Sequence, residues 1–94
     1  MDEKSRYLPT RNAAYRKIGD EVVVVDTANN RMMTLNETGS AIWMMLDGRP
    51  NGEIAGALER SFQVERAHAL EDVAAFLAEM EARGLIAARP GGEP

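Results

Sequence analysis

No cysteine occurs among the 94 residues, which removes disulfide stapling, thiolate catalysis and cysteine metal sites together and suits a reducing compartment. Histidine occurs once, as His68, and a lone histidine without a second His or Cys is a poor metal site, so a surface role is expected for it. No stretch approaches the roughly 20 apolar residues that span a bilayer. The segment Met1 to Pro9 is charged and lacks the apolar centre of a signal peptide. A cytoplasmic protein is expected, with no membrane partner. Gly48, Gly52 and Gly56 are too scattered, and too far from any lysine, to form a phosphate loop. Glu71 and Asp72 are adjacent on a helical stretch and point about a quarter-turn apart, which does not suit paired acid and base work. With no catalytic constellation, no metal set and no cofactor motif, the sequence points to a protein that binds and does no chemistry.

What is present is small and unevenly charged. A single domain of this length buries only about 60% of the surface its unfolded chain exposes, which leaves little room for a deep active site. The formal net charge is -4. Residues 1–18 nevertheless carry five Lys or Arg against two acids, and residues 19–94 carry six against thirteen. The folded part is therefore acidic and repels phosphate backbones, so no nucleic-acid partner is expected. The basic start reads as a solvated tail.

Residues 1–12 have no periodicity and read as a mobile N-terminal tail, and 90–94, Pro-Gly-Gly-Glu-Pro, as a disordered C-terminal one. The working domain is 13–89. Ala13 to Ile18 is a weak extended segment, and Gly19-Asp20 turns it into Glu21 to Asp26, whose four consecutive valines mark the strongest strand. Thr27 to Asn30 reads as a hairpin connection, since Asn tolerates left-handed backbone angles. Arg31 to Leu35 returns, with Arg31, Met33 and Leu35 on one face and Met32 and Thr34 on the other. Asn36 caps a helix that carries Ala41, Ile42, Met45 and Leu46 and stops at Gly48. Asn51 is the candidate cap of a second helix, marked by Ile54, Ala55, Leu58 and Phe62. A third helix, about Arg66 to Arg83, has the stripe Leu70, Val73, Leu77 and Met80 and a left-handed stop at Gly84. Leu85-Ile86-Ala87 reads as a short strand or apolar lid. Of the methionines, Met44, Met45 and Met80 are expected to fill core gaps, whereas Met32 and Met33 lie on a strand expected at the sheet edge. Trp43 is expected to be half-buried. This order predicts a winged-helix-like α+β domain, a small antiparallel three-stranded sheet packed on a three-helix bundle.

The run Leu35-Asn36-Glu37-Thr38-Gly39-Ser40-Ala41-Ile42-Trp43, followed by Asp72-Val73, Phe76-Leu77 and Gly84-Leu85-Ile86, resembles the PqqD family over about Val22 to Ile86. Members of that family bind the leader of a ribosomally made precursor peptide and present it to a modifying enzyme, in pyrroloquinoline quinone or other modified-peptide biosynthesis. The resemblance implies the same fold and a leader held as an added strand, in a groove whose other wall is the third helix. Carried onto this chain, Arg31, Met32, Met33, Thr34 and Leu35 are the receiving edge. Helical geometry supplies Ala69, Asp72, Val73 and Phe76 as the opposite wall, with Glu71 and Glu81 bounding the far flank. Asp72 lies one turn from both His68 and Phe76. The implied partner enzymes are a radical S-adenosylmethionine enzyme, or a leader protease and cyclase as in lasso peptide maturation.

Two other classes stay open at this point. A winged-helix transcription regulator requires a basic recognition helix, whereas the third helix carries Glu71, Asp72, Glu79 and Glu81 against Arg66 and Arg83. A dimerisation module would use the same exposed strand edge, so a homodimer and leader binding compete for it.

Overall fold

A computed structural model describes residues 2–89. Met1 and the tail expected at 90–94 lie outside the described residues. In chain order the elements are β1 (Arg6–Pro9), β2 (Ala13–Ile18), β3 (Glu21–Asp26), β4 (Arg31–Thr34), α1 (Glu37–Trp43), α2 (Asn51–Phe62), α3 (Arg66–Ala82) and β5 (Ile86–Arg89). The three central strands form an antiparallel sheet in the order β2-β3-β4, and β1 pairs with β5 in a separate two-stranded sheet. This is the α+β architecture that the sequence predicts, with one additional small sheet.

The valine strand lies at the centre because alternate valines can be buried on one face. Val22 and Val24 are fully buried, whereas Val23 and Val25 are only partly covered on the outer face. Gly19 turns β2 into β3 at φ +63, and Asn30 turns β3 into β4 at φ 55, a left-handed angle that Asn accepts more readily than most residues. Asp26 fixes that second turn. Its carboxylate accepts hydrogen bonds from the amides of Ala28 (3.1 Å) and Asn29 (3.2 Å) and from Asn29 Nδ2 (2.9 Å). The Asn29 side-chain bond, followed by the two backbone bonds, holds the Asp26 carboxyl below its ordinary value.

The helix ends agree with the sequence expectation at the start of α1 and depart from it at two places. Asn36 Oδ1 accepts from the Gly39 amide at 2.7 Å and caps α1 as expected. The helix ends at Trp43 and does not continue to Gly48. Residues 44–48 tighten into turns, with the Met45 amide bonding the Ile42 carbonyl and the Leu46 amide the Trp43 carbonyl. Met44 is consequently 44% exposed and fills no core gap, while Trp43 is buried with its ring edge-on to Tyr15, centroids 5.9 Å apart. Asn51 does not cap α2. Pro50 occupies that position, and Asn51 is buried, donating from Nδ2 to the Asp2 carbonyl at 3.1 Å.

The N-terminal segment explains that second departure. The amides of Asn51 and Gly52, orphans of the first turn of α2, donate to the carbonyls of Ser5 and Glu3, both at 2.9 Å. Residues 1–12, read from the sequence as an aperiodic tail, thus contain β1 and the backbone cap of α2. Four-residue β1 has too short a span to display a period, and its partner β5 lies at the other end of the chain, in register Leu8 to Ala87 and Pro9 to Ile86.

On α3 the buried residues are Ala69, Val73, Leu77 and Met80, with Leu70 only partly covered. The expected stripe is rotated by about one residue at its start. α2 and α3 pack against each other, and the fully buried Ala55 and Ala69 are small enough to let helix backbones approach where a leucine would hold them apart.

Candidate functional site

The strand β4 ends the three-stranded sheet, and its free side faces α3. The direction of its hydrogen bonds is fixed by one contact, the Leu35 amide donating to the Val22 carbonyl at 2.9 Å. Bonding direction alternates along an antiparallel strand, and the register continues as Met33 opposite Val24 and Arg31 opposite Asp26. Arg31, Met33 and Leu35 therefore bond inward to β3. The amides and carbonyls of Met32 and Thr34 point to the open edge.

Ser40 closes the end of this ladder. Its buried hydroxyl accepts from the Val22 amide at 2.9 Å and donates to the Leu35 carbonyl at 3.2 Å, bridging the two strands where they diverge. The N-terminus of α1 is thereby fastened to β3 and β4, and the helix forms the floor between β4 and α3.

Between β4 and α3 lies a cavity of about 380 Å³. Its inner surface is Met33, Leu35, Gly39, Phe76 and Met80, and its rim carries Arg31, Glu79 and Arg83. A second concavity of about 220 Å³ continues from it past Asn36, Gly39 and Phe76 to Thr38, Ala75 and Asp72. The two form one groove that runs beside the open edge. Phe76 is half-buried and lines both parts. A Cβ added at Gly39 would stand 3.2 Å from Phe76 Cε1 and 3.1 Å from Asn36 Oδ1, so glycine there permits the ring edge to approach α1 closely.

The structure thus brings Arg31, Met32, Met33, Thr34, Leu35, Asp72 and Phe76 to one groove. It does not bring Ala69 and Val73, which are fully buried in the core with no surface to offer a ligand. Groove-lining residues that sequence reasoning did not place there are Asn36, Thr38, Gly39, Ala75, Glu79 and Arg83, with the largely buried Ile42 and Met80 beneath them. A usable signal existed for two of them, because Asp72, Phe76, Glu79 and Arg83 follow one another at four, three and four residues and so share a helix face. Glu81 lies elsewhere, its Oε1 accepting from the Tyr7 hydroxyl at 3.4 Å.

Polar contacts inside the groove are few. Arg83 donates to Glu79 Oε2 at 3.0 Å, and His68 Nε2 lies 3.2 Å from Asp72 Oδ2, both one-turn pairs on exposed side chains. An exposed Arg–Glu pair of this kind contributes about 0.3–0.5 kcal/mol, and both contacts are free to be rearranged by a ligand. Among the described residues no group of three or more His, Cys, Asp or Glu side chains is placed to hold a metal ion. No described helix is long and apolar enough to cross a membrane. What the groove offers chemically is a row of unpaired backbone groups beside a mixed trough, with Met33, Leu35 and Phe76 at its apolar centre and charged ends, which suits an extended peptide.

Comparison with known proteins bears on this geometry. The family described as "Coenzyme PQQ synthesis protein D (PqqD)" matches residues 21–86, which include β3, β4, α1 and α3. Among solved structures, TbiB1 in complex with the TbiA(beta) leader peptide is 26% identical, with a TM-score of 0.79 over 84% of this chain and 93% of that one. Lasso peptide synthetase B1 complexed with the leader peptide shares the fold at 24% identity, with a TM-score of 0.77 over 90% of this chain and 99% of that one. A search of the curated proteins finds no match.

Proposed function

The chain belongs to the PqqD family, and from that premise we propose that it is a non-catalytic peptide chaperone: it binds the leader of a ribosomally synthesised precursor peptide by strand addition to β4 and delivers it to a modifying enzyme. The observation that carries this reading is the open edge of β4 facing α3 across a cavity, in a fold shared with a protein solved around a leader peptide. An extended leader would satisfy the backbone groups of Met32 and Thr34, while its alternate side chains enter the trough over Met33, Leu35 and Phe76. The binding site comprises Arg31 to Leu35 with Asp72 and Phe76, extended by Asn36, Gly39, Glu79 and Arg83.

Presentation follows from the same geometry. A leader held in extended form along one edge leaves the rest of the precursor free to enter a second protein, so the chain raises the local concentration of substrate at its partner without touching the reacting bonds. The partner is an enzyme of precursor modification, either a radical S-adenosylmethionine enzyme or a leader protease and cyclase.

The test is calorimetric titration of the chain with the unmodified leader encoded beside its gene. A dissociation constant in the micromolar range or tighter, roughly -8 kcal/mol, is expected. The excised core segment of the same precursor should bind far more weakly. Equal affinity for core and leader, or no affinity for either, would contradict the reading.

A further inference from the structure

The groove has chemically different ends. At the end where β4 begins and α3 finishes stand Arg31, Arg83 and Glu79. Glu79 is engaged by Arg83 at 3.0 Å, and among the described residues Arg31 makes no ion pair within 4.0 Å. Asp26, opposite Arg31 in the sheet register, is near enough to act on it, but its carboxylate is buried and bonded to the turn amides of Ala28 and Asn29, so Arg31 is the exposed cation that this end leaves without a salt-bridge partner. At the other end Asp72 presents a carboxylate beside Thr38 and Asn36. Between them lie Met33, Leu35 and Phe76, and at Gly39 no side chain rises from α1 against the Phe76 ring.

From Asp72 to Arg83 along α3 is eleven helical steps, about 16 Å at roughly 1.5 Å each. An extended peptide advances about 3.3 Å per residue, so about five residues span that distance. The protein as a whole has a formal charge of -4 and repels a uniformly acidic peptide, while the local cations of the Arg31 end attract a single carboxylate.

Resting on the strand-addition reading above, we propose that the groove selects a mixed-charge segment: an Asp or Glu over Arg31 and Arg83, a basic or hydrogen-bond-donating side chain about five residues away against Asp72, and an apolar side chain between them over Gly39 and Phe76. Sequence specificity for the leader then lies in Arg31, Arg83 and Asp72, and the backbone edge supplies affinity that any extended peptide shares. Glu79 limits the attraction by occupying Arg83 in the free protein.

A displayed library of random peptides, selected on the full chain and sequenced, tests this. Wild-type selections should be enriched in an acid and a base about five residues apart, flanking an apolar residue. In the double variant Arg31→Glu, Arg83→Glu the acidic position should switch to Lys or Arg while the position facing Asp72 keeps its preference. A wild-type-selected peptide should lose about tenfold in affinity for that variant, and the difference should shrink in high salt. Arg31→Glu alone, at an exposed strand end, gives the same switch in weaker form if the double variant does not fold. Selected peptides that protect the β4 amides from exchange but show no charge preference, or none that switches, would overturn the proposal and leave strand addition standing. Selected peptides that leave the β4 amides untouched would overturn both.

Discussion

Replacing Thr34 by proline removes one outward-facing amide and nothing from the existing sheet. The phase set by the Leu35 amide on the Val22 carbonyl turns the Thr34 amide away from β3, so no ladder hydrogen bond is lost. The ring fixes φ near -65°, short of the ideal strand value, and holds Met33 to the extended conformation it already has. A stability loss of about 1 kcal/mol is expected, well below the ~3 kcal/mol typical of proline in an element interior. For the bound leader the loss is larger. One hydrogen bond of roughly 0.5–1.5 kcal/mol disappears, and a leader carbonyl facing the ring in place of an amide adds about 1–3 kcal/mol of unmet desolvation. Taken together, about 2–4 kcal/mol corresponds to roughly 30- to several-hundred-fold weaker binding. Thr34→Ala keeps the amide and should stay within about threefold of wild type. Calorimetric titration with the leader and thermal unfolding on the same samples give both quantities. A folded proline variant that binds like wild type would refute strand addition at β4. A variant that loses more than ~3 kcal/mol of stability would show that the amide faces inward.

Phe76→Ala should lower stability by roughly half the 3–5 kcal/mol of a fully buried phenylalanine, because the ring is half-buried, while weakening leader binding more than tenfold; a full core-sized loss with unchanged affinity would remove Phe76 from the site. Asp72→Asn should keep the fold and reduce affinity for the leader, with Glu81→Gln, whose side chain turns toward Tyr7 outside the groove, unchanged as control; equal affinity in both would take Asp72 out of recognition. Asp26 has its pKa lowered in the folded state by the Asn29 side-chain bond. The stability it contributes is therefore present above its unfolded pKa near 4 and is lost as pH falls through the folded value. Thermal unfolding between pH 3 and 7 should show a shallower acid decline for Asp26→Asn than for wild type, and identical slopes would contradict that role.

Much of the fold was legible because the chain punctuates itself. Four valines, a left-handed Asn30, the Asn36 cap and Gly84 mark elements whose local preferences agree with their final environment. β1 was not legible, since four residues cannot display a period and the strand exists only through its pairing with β5. Asn51 misled because its sequence position suits a cap, whereas the carbonyls of Glu3 and Ser5, distant in the chain, fill that role. Of the site, the strand side came from the resemblance to the PqqD family, and the alternation of Arg31 to Leu35 gave only its two faces. The helix side was half readable. Asp72 and Phe76 reach the groove, but Ala69 and Val73 are fully buried and Leu70 only partly covered, because the inward face of α3 is rotated from the stripe that its larger apolar residues suggest. Gly39 carries no side chain to signal its place and is found only when the Phe76 ring is seen against it.

Strand addition at β4 is the central claim, and amide hydrogen exchange with and without the leader tests it at single-residue level. In the free protein the Met33 amide is already directed to β3 and should exchange slowly, while those of Met32 and Thr34 are open. On adding leader, Met32 and Thr34 should become protected and Met33 should change little, an alternation that only a strand laid on this edge produces. Protection that appears on β2 or α2, or a leader complex that leaves Met32 and Thr34 exchanging as in the free protein, would contradict the account.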